Sequence, residues 1–86
     1  MAKIPSCVKV HAFGQNFNDS LWISVTKNLE MYVLTVIYPG TGVQYPRSCV
    51  PGYKVKEEIM SLLGSMYEGY NVEQINLTWN YNSSEP

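Results

Sequence analysis

Only one stretch of this 86-residue chain keeps a helical apolar period. Val55, Ile59, Leu62, Leu63, Met66 and Tyr70 fall at i, i+4, i+7, i+8, i+11 and i+15, one face of an amphipathic helix. A lone helix can cover one face of a sheet and must leave the other open, and that constrains the fold more than any other feature. Pro51 suits the first turn and Gly69 the C-terminal stop. Glu57 and Glu58 favour the helix dipole there, whereas Lys54 and Lys56 oppose it. Gly64 inside the helix costs about 1 kcal/mol relative to Ala, which a close approach to the sheet would offset.

The remainder reads as strands. In SCVKVHAF, Val8, Val10 and Ala12 share one face and Cys7, Lys9, His11 and Phe13 the other. GQNFNDS supplies a turn, after which Leu21, Ile23 and Val25 alternate with Trp22, Ser24 and Thr26. Lys27-Asn28 is expected to form a hairpin turn, because Asn tolerates positive φ. MYVLTVIY is apolar on both faces, the pattern of a central strand. PGTG makes a four-residue loop, and Val43-Gln44-Tyr45 returns as a short strand that Pro46 stops, leaving a Pro-rich connection over 46–52. The last strand, QINLTWNY, sets Ile75, Leu77, Trp79 and Tyr81 against Gln74, Asn76, Thr78 and Asn80.

The order β-β-β-β-α-β predicts one α+β domain over 1–86. It is a two-layer sandwich whose mostly antiparallel sheet of four to five strands carries one amphipathic helix on one face. Ile59, Leu62, Leu63 and Met66 are expected to pack on Val8, Val10, Ile23, Val25, Ile75 and Leu77. The final NSSEP is expected to fray.

Composition removes several functions. Six basic against seven acidic residues give a formal charge of −1, and no Lys/Arg cluster tracks a phosphate backbone, so nucleic acid is disfavoured as a partner. MAKIPSC has no apolar run after its lysine, and no window approaches the roughly 18 apolar residues of a membrane span, which predicts a cytoplasmic chain without membrane association. In that compartment Cys7 and Cys49 are read as free thiols rather than a disulfide. Three N-x-S/T sequons, at Asn18, Asn76 and Asn82, would matter only in a secreted protein.

The chemistry-bearing residues are sparse. Cys49, placed just before the helix and two residues from Arg47, is the best enzymatic hint, because both features depress a thiol pKa. It lacks a base, since nothing brings the single histidine, His11, to it, and Cys7 and His11 lie ~13 Å apart along one strand. Cysteines 7 and 49 with His11 show no paired zinc spacing. Gly40-Thr41-Gly42 lacks the rest of a phosphate loop, and the adjacent Glu57 and Glu58 point in different directions. Neither a cofactor nor a metal is expected, and the chain is read as a non-enzyme.

Surface composition carries the functional reading. Seven Tyr, two Trp and seven Asn exceed what so small a core hides, and these residue types dominate binding surfaces. Trp22 leads the candidates, on the polar face of its own strand, followed by Lys9, His11, Tyr45, Arg47, Asn76 and Asn80. The competing reading is that the aromatics fill the core. A protein partner is expected, met through the open sheet face or an edge strand, and an edge strand also offers a route to a homo-oligomer. Small stand-alone domains of this kind are frequently virus- or mobile-element-encoded inhibitors of host proteins. The rival readings are a single-stranded nucleic-acid binder that stacks bases on Trp22, and a thiol enzyme built on Cys49.

Val50-Pro51 ahead of a helix containing Leu62-Leu63 and Ser65, together with an early Ser6-Cys7-Val8 strand, resembles the small KTSC domain sometimes appended to a lysyl-tRNA synthetase. The glycine and aromatic-Asn ending of that pattern is not reproduced, and residues 30–38 would be an insertion. The resemblance therefore assigns no residue a role.

Overall fold

A computed structural model describes residues 4–81. Five strands and one helix follow in the order β1 (Cys7–Gly14), β2 (Phe17–Asn28), β3 (Met31–Tyr38), β4 (Val43–Pro51), α1 (Val55–Met66) and β5 (Gln74–Asn80), with a 3-10 turn at Gly52–Lys54 leading into α1. The strands form one antiparallel sheet in the order β4-β3-β2-β1-β5. This is the expected α+β arrangement. The sequon at Asn82 and the NSSEP ending lie outside the described residues.

Val8, Val10, Ala12, Leu21, Ile23, Leu34 and Val36 form the covered face of the sheet, and Val55, Ile59, Leu62, Leu63 and Tyr67 close on it. Met66, Val25 and Leu77 pack at the margin of this core. Two expectations fail here. Ile75 shares the helix-side face yet stays 38% exposed, because it sits on the outermost strand. Tyr70 is also exposed, since α1 ends at Met66 and the chain turns through Gly69 at φ 82°, which substitutes Tyr67 into the buried position.

Two turns differ from the sequence reading and one agrees with it. β2 begins at Phe17, so Gln15-Asn16 alone forms the first hairpin turn. The second turn is Leu29-Glu30 rather than Lys27-Asn28. Turning there sets Val25 opposite Leu34 and Ile23 opposite Val36, whereas the earlier turn would set Val25 against Glu30. That apolar register places Leu29 at φ 60°, a conformation costing an L-residue about 1–2 kcal/mol, and leaves its side chain exposed. The PGTG loop stands as expected, with Gly42 at φ 75° and its N–H donating to the Tyr38 carbonyl at 2.7 Å.

Pro46 does not stop β4. The strand runs on to Pro51 because it is an edge strand, where a proline removes no ladder bond. A bulge absorbs the irregularity: Thr35 pairs with Pro46 and Leu34 with Ser48, so Arg47 is the extra residue. Beyond it Ser48 Oγ donates to Glu58 on α1 at 2.8 Å and ties edge strand to helix.

Gly64 is not a close-approach glycine. Apart from its own helix backbone and chain neighbours, no heavy atom lies within 4 Å of where its Cβ would stand, and it faces solvent. Gly64→Ala is therefore expected to stabilise the fold by about 1 kcal/mol, read as a raised midpoint in urea denaturation with an unchanged slope.

Candidate functional site

Because α1 covers one face, every second side chain of the five strands turns to an uncovered outer face. The register aligns these side chains into rows. Gln44, Ile37, Trp22, Lys9 and Thr78 form one row across all five strands, with Trp22 on the middle strand. The next row holds Pro46, Thr35, Ser24, Cys7 and Asn80. On the other side of the Trp22 row, Ser20, His11 and Asn76 align across β2, β1 and β5.

Trp22 is 39% exposed, with Ile37 directly opposite it on β3 and Lys9 opposite on β1. The Lys9 ammonium lies 5.8 Å from the Trp22 ring centroid, a cation–π contact worth about 0.5–1 kcal/mol at an exposed site. His11 stacks at 5.2 Å on Phe13, and its Nε2 lies 2.6 Å from Asn18 Oδ1, where the imidazole N–H donates. Val33 and Met31 extend the apolar part of the face along β3, with Cys49 opposite Val33. The outer face is thus an apolar stripe around Trp22, Ile37 and Val33, bordered by Asn, Thr and Ser on the β1–β5 side.

The candidate residues accordingly divide between two surfaces. Trp22, Lys9, His11, Asn76 and Asn80 lie together on the outer face. Tyr45 and Arg47 lie on the helix side, where the bulge turns Arg47 toward Tyr38, Tyr45, Val36 and Met66. Tyr38 and Tyr45 meet edge to face at 5.9 Å. Phe17 contacts both Tyr67 and Tyr70 in the same manner, at 5.9 and 5.3 Å. Tyr67 Oη donates to Asp19 at 3.0 Å. Burial and that hydrogen bond push the Tyr67 phenol well above its ordinary range, and burial raises Tyr38 as well. This corner was not legible beforehand, since it assembles from β2, β3, β4 and the C-terminal end of α1. No local signal marks it, because Pro46-Arg47 reads as a strand stop until β4 is placed at the edge of the sheet.

Four of the seven tyrosines, Tyr45, Tyr53, Tyr70 and Tyr81, are exposed, so the aromatic excess does not simply fill the core. Cys49 lies within β4, not at a helix N-terminus, and is exposed on the outer face. Two strands separate β4 from β1, which sets Cys49 and Cys7 roughly 14 Å apart across the sheet, beyond disulfide reach. The same separation keeps His11 from Cys49. Burial pushes the Cys7 thiol up, against a smaller opposing effect of Lys9. Among the described residues, no group of three or more His, Cys, Asp or Glu gathers in a metal-binding arrangement, and no helix is long and apolar enough to cross a membrane.

No family model, curated protein or solved structure matches this chain.

Proposed function

We propose that this chain is a non-enzymatic protein-binding module that docks its partner on the outer sheet face, with Trp22 at the centre of the contact. The observation that carries this reading is the row Gln44-Ile37-Trp22-Lys9-Thr78, which holds a large aromatic half-exposed in the middle of an uncovered sheet. An apolar stripe with a polar Asn/Thr border has the anatomy of a protein interface, in which buried aromatics carry most of the energy. The partner chemistry that fits is a surface with an apolar centre and amide or hydroxyl groups at its rim. A virus- or mobile-element-encoded inhibitor of a host protein acts in this way, and we place the chain in the cytoplasm, where Cys7 and Cys49 would remain reduced.

Single-stranded nucleic acid is the rival, favoured by Trp22 and the His11-Phe13 stack standing on one face. Against it, Lys9 is the one Lys or Arg in the outer-face rows among the described residues. A backbone-tracking site needs several. A thiol reaction at Cys49 lacks support from the histidine, since His11 lies on β1 with two strands between it and β4.

Trp22→Ala tests the proposal. Affinity capture from the native host, followed by titration of the captured protein, is expected to show a loss of about 2 kcal/mol or more, near thirtyfold. The variant should still melt cooperatively. Retained affinity, or captured nucleic acid whose binding collapses steeply with added salt, would reject the reading.

A further inference from the structure

The two edges of the sheet are not equivalent. β4 is guarded by Pro46, Pro51 and the Arg47 bulge, devices that prevent another strand from pairing. β5, Gln74-Ile75-Asn76-Leu77-Thr78-Trp79-Asn80, has no proline, glycine or charged residue. Its inner edge is tied to β1 along its whole length, from the Glu73 N–H on the Phe13 carbonyl at 3.0 Å to the Asn80 carbonyl on the Ser6 N–H at 2.9 Å. Among the described residues nothing pairs with the outer edge, which leaves N–H and C=O groups open on a strand of high β propensity.

We propose that β5 pairs antiparallel with β5 of a second copy of this chain, giving a two-fold dimer with one continuous ten-stranded sheet. The argument is self-complementarity. A two-fold axis through Leu77 keeps all seven residues of the strand paired: Leu77 meets Leu77, Ile75 meets Trp79, Asn76 meets Thr78 and Gln74 meets Asn80. Ile75, left exposed by α1, is covered by the Trp79 ring of the second copy. The outer-face pairs are all amide or hydroxyl groups that can donate and accept in turn.

The flanking positions also agree. Glu73 falls opposite Tyr81 of the second copy, and within each chain the Lys56 ammonium lies 5.5 Å from the Tyr81 ring and 5.8 Å from the Trp79 ring. Each end of the joint therefore brings a carboxylate toward a lysine, with no like charges opposed. An isologous joint of this kind closes on itself, which is why it stops at two copies. Because the outer faces become one surface, the dimer carries two Trp22 sites side by side. The pairing itself does not depend on what those sites bind.

Sedimentation velocity over a wide concentration range tests this, using two double variants at exposed outer-face positions. N76E/T78E opposes carboxylates in both Asn76-Thr78 pairs and is expected to weaken dimerisation about tenfold or more. N76K/T78E opposes a lysine to a carboxylate in the same two pairs and is expected to restore the dimer. In both variants the new carboxylate at 78 faces Lys9 of its own chain and the new side chain at 76 faces His11, and circular dichroism checks that each monomer keeps the fold. If one variant does not fold, amide exchange in the unmodified chain decides: outward β5 amides should gain protection as concentration rises. A monomer at all concentrations, a dimer indifferent to both variants, or open-ended filaments would overturn the proposal.

Discussion

Ile59→Ala is expected to cost about 2–5 kcal/mol, as deletion of a buried aliphatic side chain does when its surroundings cannot collapse. Ile59 is fully buried and projects from the middle of α1 into a sheet face of Val8, Val10, Leu21, Ile23, Leu34 and Val36. The expectation is large relative to the whole, since a domain of this size holds only about 4–13 kcal/mol in total. Urea denaturation followed by far-UV circular dichroism reads the change. A loss below about 0.5 kcal/mol would mean that α1 presents a different face to the sheet.

Gly14→Ala is expected to be equally damaging, for a reason that lies in the backbone. After α1 the chain returns across the end of the β1–β2 hairpin, and the space a Cβ would take at Gly14 is occupied by the Asn71 carbonyl, with Glu73 N 3.3 Å away. Neither neighbour is a flexible side-chain tip, so the crossing segment must move. A cost of about 3 kcal/mol is expected, the upper range of overpacking. The damage should concentrate on β5, whose first tie is the Glu73 N–H on Phe13. Native-state amide exchange should show residues 74–80 losing protection before β2 and β3. Uniform loss across the sheet, or none, would contradict this.

These two positions show what the sequence could and could not disclose. The 3.6-residue period of Val55, Ile59, Leu62 and Leu63 and the alternation of Val8, Val10 and Ala12 are local patterns, and they identify the buried faces directly. Edge position is not a local property. Pro46 reads as a strand stop until β4 is known to lie at the rim, and Ile75 reads as core until β5 is known to lie at the other. Gly14 looks like one more turn residue, while Gly64 looks like a packing contact. The structure reverses both, since Gly14 meets a chain segment that is distant in sequence and Gly64 meets nothing.

The candidate site follows the same division. That Trp22, Lys9 and His11 share one face follows from strand alternation, and their gathering with Asn76 and Asn80 from the pairing of β1 with β5. Tyr45 and Arg47, candidates by residue type alone, do not join them. Tyr45 belongs to the helix side by its pairing with Val36, and the bulge after it turns Arg47 the same way. No sequence pattern announces a bulge that depends on fitting Leu34 to Ser48 and Thr35 to Pro46.

The central claim is that one face of the sheet builds the fold and the other meets a partner. Hydroxyl-radical footprinting of the chain alone and with its captured partner tests it most directly, because Trp22 and Met31 are exposed on the outer face while Met60 and Tyr53 are exposed in the helical segment. The account predicts that oxidation of Trp22 and Met31 falls on complex formation and that of Met60 and Tyr53 does not. Protection of Met60 and Tyr53 with Trp22 still reactive would contradict it.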